Sequence, residues 1–293
     1  MWEKNVHEAN NPFFSILIVC KDGGTGLLET VKSALAQECS DCEILIKDGC
    51  SEIPPEKTLS PLLENAAKDS SGYRLSEKSL RIEISPDKGI YEGMNQAARL
   101  AKGNFFLFLN CGDTFASPQV LEKIKQQLSQ KPDALLCYGD RINGKTGLAE
   151  SAPSRLTAFS LFRTLPCHQS IFYHKSLFQK RGYDESLRIR GDYEHLLYCV
   201  QSNWLLQKNK GDLVVYLGLP VCIYEGGGFS EKPENAALSQ KERREICRKY
   251  FTQPQRLLFN AYLFLSLQPL RHWLSESKTF GSAYQALKNR IGG

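Results

Sequence analysis

No apolar stretch of this chain is long enough to cross a bilayer, which takes about 20 consecutive residues. Phe13–Cys20 is short and ends in charge, and the later run Leu257–Leu267 is stopped by Pro269. Met1 to Asn11 is polar, so no secretory leader is expected. The ten cysteines follow no repeating interval, and Cys39-Ser-Asp-Cys42 has neither a second half nor a nearby histidine. That argues against a disulfide framework or a structural zinc, and for free thiols in a reducing, cytoplasmic setting. The loop Lys21-Asp-Gly-Gly-Thr25 is neither a dinucleotide fingerprint nor a Gly-Lys-Ser/Thr phosphate loop.

What is present can bury a full core: 293 residues, 42% of them hydrophobic. The length suits one large α/β domain with an appendage, or two small domains, and the first is preferred. The net charge of +5 is unevenly spread. Residues 231–293 hold eleven Lys/Arg against five Glu, whereas the remainder holds 26 against 27. The basic excess belongs to the tail and points to an acidic partner for that segment alone.

Strand and helix patterns alternate along the first part. Phe14–Cys20 reads as a central strand, followed by Leu27, Leu28, Val31, Ala34 and Leu35 on one helical face. Glu43–Asp48 gives a second strand, Pro61–Lys68 a helix, Asp69–Glu77 a polar loop and Leu80–Ile84 a third strand. Ile90, Met94, Ala97, Ala98 and Ala101 recur at helical spacing before Gly103, and Phe105–Leu109 is an unbroken apolar run. Beyond it come a capped helix over Ser117–Leu128, a strand over Ala134–Tyr138 and a polar connection, Gly139–Thr164, suited to acceptor contacts. Asp212 opens a strand over Leu213–Leu217, and Val221–Tyr224 leads into the glycine loop Glu225–Ser230, a mobile flap or a plain tight turn. Such alternation predicts βα units on a mainly parallel, Rossmann-like sheet, with ligands beyond the carboxyl ends of its strands. Asp48 and Asp113 stand at such ends. Each can meet a ligand, or cap the turn that follows it.

The stretch Pro86-Asp-Lys-Gly-Ile-Tyr-Glu-Gly-Met-Asn95, followed by Gly103 and Phe108-Leu-Asn-Cys-Gly-Asp113, resembles the core of a family 2 glycosyltransferase, of the branch that builds bacterial surface polysaccharides. The resemblance covers roughly the first four-fifths of the chain. It implies a GT-A-like α/β catalytic domain over residues 1–230, a helical extension over 231–293, and inverting transfer of a sugar from a nucleotide donor, a UDP-sugar, to a glycan or polyprenyl-linked acceptor. Asp48 matches the aspartate that binds uridine. Asp87, Lys88, Asn95 and Asn110 join it as donor-binding residues, with His168 and Gln169 near the donor phosphates or the acceptor. Asp113 matches a ligand for Mg²⁺ or Mn²⁺, and Asp192 in Gly191-Asp-Tyr-Glu194 matches the catalytic base. On chemistry alone, Asp192 also reads as a helix N-terminal carboxylate, and His168 as a buried structural histidine. Ser51-Glu-Ile-Pro-Pro55 and the single aspartate of Asn110-Cys-Gly-Asp113 depart from the family's usual pattern.

Lys241–Tyr250 reads as a basic helix, and Leu257–Leu267 with Tyr262, Trp273, Arg256 and Arg271 suits a segment on an anionic membrane surface, at the inner face of the plasma membrane. Docking on the catalytic domain or on a second copy in a homo-oligomer competes with that reading. No nucleic-acid partner is expected. Two other functions stay open: a nucleotidyltransferase on a similar sheet, and a non-catalytic sugar-nucleotide-binding scaffold.

Overall fold

The computed structural model describes residues 11–64, 66–69, 72–75, 78–202, 213–228 and 231–266. The expectations for Asp212, Ser230, Arg271 and Trp273 lie outside the described residues.

Four strands form a parallel centre: β1 (Phe14–Cys20), β2 (Cys42–Asp48), β5 (Lys78–Ile84) and β6 (Phe105–Leu109), in the order β5-β2-β1-β6. Their apolar runs are explained by burial on both faces. Ile16 and Ile18 of β1 point to one side with Ile44, Ile46, Leu107 and Leu109. They pack there on Leu27, Val31 and Ala34 of α1 (Gly24–Leu35) and on Leu121 and Ile124 of α5 (Val120–Ser129). Leu17, Val19, Leu45, Phe106 and Phe108 point to the other side, against Tyr91, Met94 and Ala97 of α4 (Ile90–Leu100). Each buried Val, Leu, Ile, Met or Phe among them contributes roughly 1.5–3 kcal/mol, and a one-residue slip would exchange the two faces, so the register is strongly specified.

The polar segment after β2 differs from expectation. Two short helices, α2 (Pro55–Thr58) and α3 (Ser60–Leu63), replace the single helix. The expected loop holds strands β3 (Ala67–Asp69) and β4 (Gly72–Leu75), antiparallel to each other, and β4 pairs antiparallel with β5. Tyr73, opposite Leu80, packs on the first core, so this ribbon covers the open edge of β5. α5 starts three residues later than expected because Thr114–Phe115 forms β7 and the N–H of Ala116 donates to Val221.

On the other flank, β10 (Ile171–His174) runs antiparallel between β6 and β8 (Leu136–Asn143). β8 extends beyond Tyr138 because Arg141 and Ile142 pair with β9 (Ala149–Glu150) and β8 runs parallel to β11 (Val214–Tyr224). The two strands expected over 213–224 are one, with a register shift around Gly218, whose φ of +63° suits glycine. A further core joins Leu136, Tyr138, Ile171 and Tyr173 to helices α6 (Ala158–Arg163), α7 (Lys175–Lys180), α8 (Gly191–Leu197) and α9 (Ala236–Tyr250). α9, expected as the start of a tail, buries Ile246 and Cys247 in that core. α10 (Gln253–Leu265) follows a Thr252 capping box. No helix among the described residues is long and apolar enough to cross a membrane.

Candidate active site

The carboxyl ends of β1, β2, β5 and β6 form one rim. The N–H of Gly49 donates to Cys20 at 2.9 Å and that of Ser85 to Asp48 at 3.1 Å, which locks the strand exits together. Asp48 ends β2, is buried, and accepts from the N–H of Ser51 at 2.8 Å and from the Ser51 hydroxyl. The unusual Ser51-Glu-Ile-Pro-Pro sequence therefore closes its turn on Asp48, with Cys50 in the left-handed region at φ +61°. Ser51 Oγ also accepts from the N–H of Asp22 at 2.6 Å, and Asp22 Oδ1 from the N–H of Glu52 at 2.9 Å, joining the loops after β1 and β2.

Asp87 reaches the same rim. Its Oδ2 is 3.2 Å from the ammonium of Lys47, a fully buried residue that also donates to Ser85 O at 2.7 Å and Asp48 O at 3.0 Å. A Cβ on Gly49 or Gly93 would come within 2.8 or 3.2 Å of Asp87 Oδ2, so both glycines make room for this carboxylate. Lys47 was unanticipated from sequence; its signal is a lone cation inside the strand Ile44-Leu-Ile-Lys-Asp48. Lys88 is exposed beside Asp87, its N–H donating to Glu92 Oε2 at 2.7 Å.

The loop after β6 holds the second carboxylate. Thr30 of α1 donates to Asn110 O at 3.1 Å and Asp113 O at 2.8 Å, while Gly112 N–H donates to Thr30 Oγ1 at 3.0 Å, so α1 fixes the loop. Asn110 is half-buried at its start. Asp113 is buried; its Oδ2 accepts from Gln169 Nε2 at 2.8 Å and its Oδ1 from the N–H of Glu225 at 3.2 Å. Burial pushes its carboxyl up to about 6, although both hydrogen bonds work against the shift. The thiol of Cys20 points toward Asp48, lying 3.5 Å from its Oδ1.

His168 and Gln169 lie on a short turn before β10. His168 stacks on Phe108 with ring centroids 5.8 Å apart, and neither ring nitrogen has a hydrogen-bond partner among the described residues. Burial lowers its pKa, and the negative charge of nearby Asp192 partly offsets this. Asp192, half-buried in the first turn of α8, has its Oδ1 3.2 Å from Tyr91 Oη.

Two residues are drawn elsewhere. Asn95, expected at the nucleotide site, is buried one turn beyond Tyr91 and accepts from Tyr183 N at 2.8 Å. Its amide donates to Tyr183 O at 3.0 Å and Glu185 Oε1 at 2.8 Å. Its hydrogen-bonding groups are spent on fixing the 183–185 loop. Glu194, two residues beyond Asp192, is held by Arg181, by Lys249 Nζ at 2.7 Å and by Tyr250 Oη at 2.6 Å. Burial alone would raise its pKa, yet these donors outweigh burial and hold it below the usual range.

Gly139 to Thr146 also spells a phosphate-loop pattern, Gly-x-x-x-x-Gly-Lys-Thr, but it occupies β8 and the turn into β9. Its amides are spent locally: Gly144 N–H donates to Tyr224 O at 2.8 Å, and Lys145 and Thr146 to Asn143 Oδ1 at 3.1 and 3.2 Å. No helix follows, so the pattern lacks the anion-binding geometry.

The model of the family described as "Glycosyl transferase family 2" matches residues 15–209. A Mycobacterium bovis protein, "PGL/p-HBAD biosynthesis glycosyltransferase", is 29% identical over 221 residues, covering 75% of this chain and 79% of its own. An uncharacterized glycosyltransferase of Mycobacterium tuberculosis is 30% identical over 191 residues, covering 64% and 68%. Among solved structures, S. aureus TarS 1-349 in complex with UDP-GlcNAc aligns with a TM-score of 0.59 at 14% identity, over 92% of this chain and 74% of that one. The mannosyltransferase PcManGT from Pyrobaculum calidifontis, in complex with GDP-Man and Mn2+, aligns at 0.55 and 12% identity, over 96% and 88%. These neighbours share the GT-A-like sheet, and the strand-end carboxylates stand on the stretch that the family model covers. The chain belongs to glycosyl transferase family 2.

Proposed function

We propose that this glycosyltransferase moves a sugar from a UDP-sugar to a glycan or lipid-linked acceptor of the cell surface, in one inverting displacement with Asp192 as general base. The observation that carries the reading is a pair of carboxylates in contrasting settings: Asp113 buried at a strand exit and Asp192 half-buried at a helix start, with Gln169 and His168 between them in the chain. Asp48 and Asp87 line the rim on the uridine side, with Asn110 and the exposed Lys88 within reach of the phosphates. The UDP-GlcNAc complex of TarS and the GDP-Man complex of PcManGT favour a sugar nucleotide as donor.

No group of three His, Cys, Asp or Glu side chains among the described residues could hold a metal. A cation of the Mg²⁺ or Mn²⁺ type still fits, because such ions are commonly held by one or two carboxylates with substrate phosphates and water completing the shell. Asp113 supplies that carboxylate, and its desolvation is the setting in which a cation is a favourable counter-charge. When bound, the ion neutralises charge on the departing diphosphate. Gln169 and the Glu225 N–H fix Asp113 in orientation. Asp192 takes the proton of the acceptor hydroxyl as its oxygen attacks the anomeric carbon opposite the leaving phosphate.

The acceptor class draws support from α10, which exposes Leu257, Leu258, Tyr262, Phe264 and Leu265. These suit an anionic membrane surface carrying a lipid-linked acceptor. Assays with UDP-, GDP- and dTDP-sugars against polyprenyl-linked saccharides, with and without Mn²⁺, test the function. Turnover with a UDP-sugar alone supports it, and turnover confined to another nucleotide replaces the donor. Co-sedimentation with phosphatidylglycerol vesicles, absent when Phe264 and Leu265 are changed to Ser, tests the surface.

A further inference from the structure

Composition sets α9 apart from the catalytic chain, yet its Glu242 is buried against the loop leading into α8. The N–H of Arg188 donates to Glu242 Oε1 at 2.9 Å, and those of Ile189 and Arg190 to Oε2 at 3.0 and 2.9 Å. Three consecutive amides therefore converge on one carboxylate just ahead of Asp192. Ser239, buried on the same helix, accepts from Arg190 Nε at 2.9 Å. Further along, α9 and the residue that ends it grip the far side of Asp192, through the bonds of Lys249 and Tyr250 to Glu194. Asp192 thus lies between two attachment points of one helix. Arg190, at the N-cap position of α8, makes no side-chain capping bond. The conformation of this entry turn is instead imposed from outside, since unmet amides at a buried helix start are costly.

We infer that Glu242 is a positioning residue for the transfer reaction: by holding the amides of Arg188, Ile189 and Arg190 it sets the direction of the Asp192 carboxylate, which makes α9 part of the catalytic unit. The inference rests on the reading of Asp192 as the base. Glu242 itself contacts backbone, not substrate, so its effect must appear in turnover and not in donor binding. A neutral amide at this position keeps one acceptor oxygen but turns an N–H toward the Arg188 or Ile189–Arg190 donors. Alanine removes all three acceptor contacts.

The test compares the full chain with Glu242→Gln, Glu242→Ala, Ile246→Val and Asp192→Asn, reading kcat, donor KM, UDP stoichiometry by calorimetry, and Tm. Ile246→Val loosens the packing of α9 without touching the 188–190 loop, and so reports what destabilisation of this helix does alone. Expected are a fall in kcat of about 10-fold for Glu242→Gln and about 100-fold for Glu242→Ala, the scale of a catalytic group displaced by about 1 Å. Donor KM and one UDP per chain stay as in the wild type, and Ile246→Val keeps its kcat. If Glu242→Ala does not fold, Glu242→Gln carries the comparison. An inactive Asp192→Asn together with wild-type kcat in the Glu242 variants overturns the inference alone. So does a kcat that falls only in step with Tm and UDP stoichiometry. An active Asp192→Asn overturns the base assignment and this inference with it.

Discussion

The phenol oxygen of Tyr91 lies 3.2 Å from Asp192 Oδ1 and 2.7 Å from Ile189 O, joining stretches 101 residues apart in the chain. Tyr91 belongs to α4, which follows Asp87 at the strand-exit rim, and Asp192 to the helix that starts at Gly191. A Cβ on Gly191 would come within 2.8 Å of three atoms of the Tyr91 ring, so glycine at 191 lets the ring close over the helix start. Burial, aided by the charge of Asp192, raises the Tyr91 pKa and keeps the phenol a donor.

Tyr91→Phe removes that donor and leaves the ring. A hydrogen bond to a charged group is worth about 1.5–3 kcal/mol, and this one shares the phenol proton with the Ile189 carbonyl, so only part of it orients Asp192. We expect kcat to fall about tenfold with UDP affinity unchanged. Steady-state assays beside calorimetric titration check this, and unchanged turnover would show that the phenol plays no part in orientation.

Asp192→Asn keeps the shape of the side chain and abolishes its basicity. Removal of a general base costs about 10²- to 10⁴-fold in rate. The variant should unfold at the wild-type temperature and bind UDP normally while losing transfer by that factor, measured as UDP release.

Lys47→Met tests the rim. The ammonium of Lys47 serves two carbonyls and Asp87, and its side chain is fully buried. Removing one partner of a buried ion pair costs about 3–5 kcal/mol. Urea unfolding should show a loss of that order, and a loss below about 1 kcal/mol would mean that the rim is not held by this cation.

Stability should fall in acid in a window set by histidine. Burial, with the Arg181 charge adding, pushes the His195 imidazole down to about 3, and burial pushes His174 down to about 4, both from 6.5. Between those values and about 6.5 the unfolded chain binds more protons, so stability is present above 6.5 and is lost as pH drops, at about 1.4 kcal/mol per unit for each group. Asp113 acts oppositely, its native carboxyl holding a proton up to about 6. His195→Phe should flatten the acid slope of the urea-derived stability. An unchanged slope would contradict the buried neutral state of His195.

The parts legible in the sequence were those with strong local causes. Runs such as Phe14–Cys20 and Phe105–Leu109 are apolar throughout because both faces are covered, and no polar edge strand reads that way. The β3–β4 ribbon was illegible for the opposite reason, since short edge strands facing solvent carry little periodicity. Asp48 ends a strand and Asp113 follows one, where the alternation of elements marked them, whereas Asp192, in the first turn of a helix, was marked by the family resemblance alone. Asn95 could not be assigned from its own segment, because its role depends on Tyr183, 88 residues away. α9 misled through its surface: its many charges hid a narrow buried stripe of Ser239, Glu242, Ile246 and Cys247.

The most direct test of the donor site is calorimetric titration of the wild type, Asp113→Asn and Asp192→Asn with UDP, in Mn²⁺ and in chelator. Expected are one UDP per chain in Mn²⁺, an affinity at least about tenfold weaker in chelator and in Asp113→Asn, and wild-type binding in Asp192→Asn. No UDP binding by the wild type, or metal-dependent binding that Asp113→Asn retains in full, would contradict the donor-site assignment.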